Sequence, residues 1–403
     1  MRILLVAMSD SVHTARWTRQ LSHQGWDIHL FPSIDVGITH AELANVTVHH
    51  AVFARLRNSK DSGNRYRGLY VRFASIALLA RYALQRLFPD YRVWQLRRLI
   101  RSLRPDLVHS LEIQHSGYLV QQVRSEWQGH FPKWWVTNWG SDIYLFGRLE
   151  EHRRRIRSIM EACDLYSCEC ERDVGLARAL GFDGPALPVM PNTGGFDLAW
   201  ARDVRDLKRT SERRTIMLKG YQHWAGRALV GLRALERCAD VLSGYTVVIY
   251  SASHDVMLAA QLFSESTGIE TRIMERDAPH ESILRAHAAA RVSIGLSISD
   301  AISTSLLEAM VMGAFPIQSC TACAGEWIQD GQSGWLVPPE DPDVVELAIR
   351  AVLADDELVD SAARINWQTA LARLEQGKLA QQAVAMYRQA LAPDQPEAER
   401  NGT

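Results

Sequence analysis

Ten short apolar runs alternate with longer stretches of helical period, and the alternation restarts once along the chain. The runs are Ile3–Ala7, Ile28–Phe31, Leu107–Ser110, Trp134–Thr137 and Leu165–Cys168, then Thr215–Leu218, Thr246–Tyr250, Thr271–Met274, Val292–Leu296 and Phe315–Gln318. Amphipathic segments such as Ala225–Ala239 and His280–Ala290 lie between them. Strands that are apolar throughout are buried on both faces, and strands alternating with helices build parallel sheets covered on both sides. The pattern runs to about Pro191 and resumes near Thr215, and 403 residues suit two domains. The stretch 196–213 is charged and lacks an apolar period, so it reads as a linker. The expected fold is α/β, with two Rossmann-like, doubly wound domains, 1–195 and 214–375, followed by a C-terminal helix and tail, 376–403, that can pack back on the first domain. Ligands then belong at the C-terminal ends of the strands.

A formal net charge of −1 argues against a global electrostatic pull on nucleic acid. No run of 18 apolar residues is present, so no spanning helix is expected. The N-terminus, MRILLVAMSDS, turns polar too early for a secretory signal and reads as a first buried strand, which places the protein in the cytoplasm. Six cysteines are then expected as reduced thiols. Cys320 and Cys323 make one CxxC pair, but Cys168-Glu169-Cys170 has the wrong spacing for a matching zinc half-site. No metal centre is expected, and these cysteines read as small residues lining loops.

The densest chemistry lies between Ser297 and Pro339. Asp300 precedes a hydroxyl-rich turn, Ser303-Thr304-Ser305. A helix follows, with Glu308 in its first turns and Gly313 at its end, and then the apolar run from Phe315. The N-terminus of such a helix offers unpaired N–H groups and the positive end of its dipole, which suits a phosphate. Asp300 and Glu308 bracket that position as acceptors for hydroxyl groups. Without further context the same residues would serve as a capped helix with a solvated carboxylate.

This segment resembles the donor-binding motif of family 4 glycosyltransferases. Asp300 and Glu308 are separated by seven residues, as the family's two acids are, and EAMVMGAFPI and GEWIQDGQSGWLVPPEDP resemble the helix, strand and following segment of the motif. The first acid of the family is usually Glu and its turn richer in Gly, so Asp300 and Ala301 depart from it. The resemblance implies the GT-B architecture, two Rossmann-like domains facing a cleft, and a retaining, hexosyltransferase-type enzyme of bacterial polysaccharide or lipopolysaccharide synthesis. It implies a UDP- or GDP-sugar as donor and a glycan or lipid-linked molecule as acceptor. Glu308 would hold the ribose, Asp300 the sugar, and Ser303, Thr304, Ser305, Lys219 and Arg227 the diphosphate. Lys219 and Arg227 match the family's cations only in part. No Asp-x-Asp pair is evident in the loops, so protein cations rather than a divalent metal are expected to neutralise the leaving group.

The N-terminal half carries weaker signals. His13 and Arg16 stand near a helix start and could hold an acceptor, although the Gly-rich loop of the family is missing there. RPDLVHSLEIQHSGY and VTNWGSDIYLFGR resemble two further loops of the family, with His109 and His115 in the first and Asp142 in the second. A histidine common in that second loop is replaced by Trp139, so its catalytic role does not carry over, and His115 is the substitute candidate. Asp142 could equally be a turn former. From Arg55 to Arg104 there are thirteen Arg or Lys against two acids, with aromatics interleaved. That composition reads as a basic helical surface suited to an anionic membrane, which would put the protein at the inner membrane face. Two rival functions remain: a GT-B nucleotide-sugar epimerase and a non-catalytic scaffold.

Overall fold

The computed structural model describes residues 1–54 and 62–392. Among them, thirteen strands form two all-parallel sheets. The first seven are β1 (Arg2–Ala7), β2 (Asp27–Pro32), β3 (Thr47–Ala54), β4 (Arg65–Val71), β5 (Leu107–Leu111), β6 (Lys133–Thr137) and β7 (Leu165–Ser167), in the order β4-β3-β2-β1-β5-β6-β7. The other six are β8 (Thr215–Lys219), β9 (Thr246–Tyr250), β10 (Glu270–Ile273), β11 (Ala290–Gly295), β12 (Phe315–Ser319) and β13 (Trp335–Val337), in the order β10-β9-β8-β11-β12-β13. All ten runs read from the sequence are strands. Of the additional ones, β4 and β13 are edge strands, where a strand need not be apolar on both faces, and β3 lies between β4 and β2.

Burial follows the two-residue period. In β1, Ile3, Leu5 and Ala7 pack into one core, while Leu4 and Val6 pack into another on the opposite face. The chain divides into two compact units. Of the described residues, the first comprises those within 1–168, 174–194 and 379–392; the second comprises 169–173 and 195–378. Leu379, Ala383, Val384 and Tyr387 of the C-terminal helix Gln376–Leu391 share the core of Ile3 and Leu5.

The charged stretch 196–213 is folded into the second unit rather than free as a linker. Asp197 caps a helix, Leu198–Arg205, whose Leu198 and Ala201 are buried. Its cations serve the end of another helix, Thr304–Met312. Arg205 Nη1 donates to Val311 O (3.1 Å), Arg213 Nη1 to Met312 O (2.9 Å) and Thr210 Oγ1 to Gly313 O (2.7 Å). Carbonyls at a helix C-terminus lack intrahelical donors and favour positive charge, which is why arginines can be buried here.

His109, expected on the acceptor side, is a core residue and is corrected accordingly. It is fully buried in β5 and stacks on Trp135 at 3.9 Å between ring centroids. Its Nδ1 lies 2.7 Å from Tyr387 Oη and its Nε2 2.7 Å from Thr137 Oγ1. Trp17 Nε1 also donates to Tyr387 Oη (2.8 Å). Burial holds the His109 imidazole neutral; because the Tyr387 hydroxyl already accepts from Trp17, its own proton is assigned to His109 Nδ1, which leaves Nε2 to donate to the threonine. Tyr387→Phe should therefore orphan the Trp17 donor and the His109 acceptor together. We expect a loss of about 1–3 kcal/mol for each orphaned group in urea unfolding. An unchanged midpoint would show that the network adds nothing to stability.

Candidate functional site

In each sheet the strand order reverses direction once, between β1 and β5 and between β8 and β11. Open α/β sheets bind ligands at the C-terminal ends of the strands flanking such a reversal. In the second unit these ends are Lys219 and Gly295, and Ser297 to Glu308 follow directly.

The helix Thr304–Met312 begins at Ser303 and ends at Gly313, whose φ of +78° is the left-handed stop that glycine adopts without strain. Its start carries no side-chain cap. The Ser303 hydroxyl instead accepts from Lys219 Nζ (3.2 Å) and lies 2.7 Å from Ser305 Oγ. A helix N-terminus, two hydroxyls and an ammonium thus converge where the sheet predicts a ligand, an arrangement that suits an anion. Thr304 is half-buried beside them.

Glu308 lies one turn further on, with its side chain 7 % exposed. His280 Nε2 donates to Oε1 (2.8 Å), and His287 Nε2 stands 3.5 Å from Oε2. Burial alone would push this carboxyl up; the hydrogen bonds and charges of His280 and His287 outweigh it and hold the group at about 2. Neither histidine was singled out in the sequence, yet they are seven residues apart on the helix His280–Ala289, a spacing that puts both on one face.

Asp300 is half-buried. Its Oδ1 accepts from Ala301 N (3.0 Å) and its carbonyl from Arg172 Nη2 (2.9 Å), so Arg172 fixes the turn that presents the carboxylate. Arg227 differs from the expected phosphate ligand. Its Nε donates to Glu340 Oε1 (2.8 Å), and its Nη1 faces the carbonyls of His223, Trp224, Ala225 and Gly226 at 3.0–3.4 Å. In this structure it holds the β8 loop together.

In the first unit, β1 leads into the helix Val12–Arg19, capped by Ser11, with His13 and Arg16 half-buried on it. The His13 ring lies 5.3 Å from that of Trp139. At the end of β5, Glu112 has φ +75°, a strained value for a residue with a side chain, and its buried carboxylate accepts from His115 N, Ser116 N and Ser116 Oγ. The His115 ring is half-exposed, and its hydrogen bond to Glu112 raises its pKa. Asp142 is buried, and its Oδ2 accepts from Ile113 N (2.9 Å) and Trp139 N (2.8 Å). It joins the β5 and β6 loops. His13, Arg16 and His115 thus remain surface-accessible at the reversal point of the first sheet, whereas His109 does not.

The N-terminal segment matches the family described as glycosyl transferase 4-like over residues 2–81 and 90–165. Residues 261–366 match glycosyl transferases group 1. The two matched segments lie one in each Rossmann-like unit, and the fold is of the GT-B type. No curated protein matches the chain in sequence. Among solved structures, sucrose-phosphate synthase from Thermosynechococcus elongatus is similar to it with a TM-score of 0.69 and 16% identity, covering 97% of this chain and 99% of that one. HepE of Anabaena, in complex with UDP-glucose, has a TM-score of 0.67 and 13% identity, over 96% and 100%. A glycosyltransferase from Rickettsia africae has a TM-score of 0.64 and 15% identity, over 97% and 98%. At these identities the likeness establishes the fold, two Rossmann-like units with parallel sheets.

Proposed function

We propose that the protein is a retaining transferase that moves a hexose from a nucleoside-diphosphate sugar to a glycan or lipid-linked acceptor in cell-surface polysaccharide synthesis. The observation that carries the donor assignment is the uncapped start of the helix Thr304–Met312, with Lys219 Nζ on the Ser303 hydroxyl and the Glu308 carboxylate one turn beyond. The diphosphate sits at that helix start, Glu308 takes the ribose and Asp300 the sugar. His13, Arg16 and His115 face the acceptor. HepE is described with UDP-glucose and an E. coli protein of similar fold with UDP-2-fluoro glucose, which favours a uridine donor. Thermal shift with UDP-, GDP- and ADP-sugars tests the assignment, followed by slow hydrolysis of the stabilising sugar. No stabilisation by any of them would remove the donor reading. Retention is tested by the anomeric configuration of the product.

Asp300→Ala should separate the sugar from the nucleotide. Its backbone is held by Arg172, so the turn survives loss of the side chain. Turnover of the sugar donor should fall at least tenfold, since a charged hydrogen bond contributes about 1.5–3 kcal/mol. Affinity for the free nucleoside diphosphate, measured calorimetrically, should hardly change. Equal losses in both would contradict the division of roles.

The acceptor is proposed to be lipid-linked, with the enzyme resting on an anionic membrane at the cytoplasmic face. The described part of the basic stretch is not all helical: β4 is followed by the helices Ala74–Leu87 and Tyr91–Leu103, and residues 55–61 lie outside the described residues. No described helix is long and apolar enough to cross a membrane. The helix Ala74–Leu87 buries only Ala77 and exposes Leu79 at 67%, Tyr82 at 69% and Leu87 at 70%. Apolar exposure of this kind on a helix that carries Arg86 and follows Arg72 suits a lipid interface. Binding to anionic vesicles should weaken with salt, because each basic residue near the surface contributes about 1 kcal/mol within a screening length of about 8 Å. Leu78→Ser with Leu79→Ser should reduce binding and leave donor hydrolysis intact. Absence of vesicle binding at low salt would discard the membrane role.

A further inference from the structure

Residues 169–173 belong to the second unit. Specific bonds hold them there. The Glu326 carboxylate accepts from Glu171 N (3.0 Å) and Arg172 N (3.2 Å), and Arg172 Nη1 donates to Thr321 O (3.0 Å). Within this unit Cys170, Cys323 and Asp173 are all buried, and one ligand-type atom of each lies within 4.8 Å of the others. The CxxC pair is therefore divided: Cys320 is exposed, while Cys323 faces a cysteine far away in sequence.

We propose that Cys170, Asp173 and Cys323 form a binding site for a soft divalent cation, zinc by its donor set. Two thiolates and one carboxylate match zinc, whereas magnesium and calcium select oxygen ligands alone. Three protein ligands leave one position of a tetrahedron for a further donor. Charge also balances. Three ligands of charge −1 around a +2 ion leave one negative charge, and the Arg172 guanidinium, with Nε 2.9 Å from Asp173 Oδ1, offsets it. That matters in a buried site, where uncompensated charge is costly. The same contact orients the carboxylate, as outer partners of metal ligands commonly do. Binding displaces one proton from each thiol, so the ion replaces two protons and no oxidant is needed.

The site would fix the turn that carries Asp300. Cys323 N donates to Ala301 O (2.7 Å), and the Ala301 side chain packs with both cysteines. This role is independent of what the donor is.

The test uses the full chain, reduced, stripped with chelator and titrated with cobalt(II) alone, followed by zinc(II). About one cobalt per chain should bind, with a thiolate-to-cobalt charge-transfer band and visible bands of tetrahedral intensity, and zinc should displace it. Zinc should also raise Tm. Cys320→Ser should keep the spectrum; Cys170→Ser and Cys323→Ser should each lose the charge-transfer intensity of one thiolate or all binding. The wild-type titration stands even where a variant does not fold. Absence of the thiolate–cobalt band from protein whose six thiols are counted as reduced would overturn the proposal. A spectrum unaffected by both buried substitutions, or lost with Cys320→Ser, would do so as well.

Discussion

Replacing Glu308 by glutamine is expected to cost both donor affinity and acid-dependent stability. For the donor, exchanging a charged acceptor for an amide removes about 1.5–3 kcal/mol, or roughly ten- to hundredfold in affinity for the nucleotide sugar. The stability effect follows from the two histidines. The Glu308 carboxyl titrates at about 2 in the folded protein against an ordinary 4.5. Its contribution is fully present above pH 4.5 and is lost as pH falls through that window toward 2, where the unfolded chain binds a proton that the native one refuses. At about 1.4 kcal/mol per pKa unit the contribution is on the order of 3 kcal/mol. The glutamine variant should be less stable at pH 7 and should lack that part of the acid slope. Urea unfolding at pH 7, 5 and 3 reads both. An acid slope identical to the wild type would show that another carboxylate governs it, and unchanged donor affinity in a folded variant would remove Glu308 from the ribose.

Much of the fold was legible because parallel strands buried on both faces are mostly apolar. β1, β5, β8 and β11 are largely buried along their length, and they flank the two reversal points. β4, with sequence RYRGLYV, is a mostly exposed edge and carries no such signal, so its arginines read as part of a helical surface. The helix Thr304–Met312 was legible through its turn residues and Gly313. What completes its surroundings was not: Arg205 and Arg213 lie about a hundred residues away and look like a charged linker, yet they satisfy its last carbonyls. His109 misled for a related reason. A polar residue within an apolar run resembles a functional one, and its partner Tyr387 is 278 residues away. The same distance problem hid Cys170 from Cys323 and drew attention to the nearer Cys320.

Lys219→Ala is expected to lower the rate of transfer at least a hundredfold while leaving Tm nearly unchanged. Lys219 ends β8 at the reversal of the second sheet, with Nζ 3.2 Å from the Ser303 hydroxyl and 4.8 Å from the centre of the Tyr221 ring. A fixed ammonium at the start of a helix gains most when negative charge grows on a departing diphosphate, and removing one such stabiliser costs about a hundred- to a thousandfold in kcat. Arg227→Ala should behave differently. Its donors are committed to Glu340 and to the carbonyls of its own loop, so its loss should lower Tm and raise KM more than it lowers kcat. With the charge supplied by lysine and the helix start, transfer should need no added magnesium or manganese. Steady-state kinetics and thermal melts on both variants separate the roles. Equal losses of kcat at unchanged Tm would place both cations on the diphosphate, and an absolute requirement for added magnesium or manganese would transfer the lysine's assigned task to a metal.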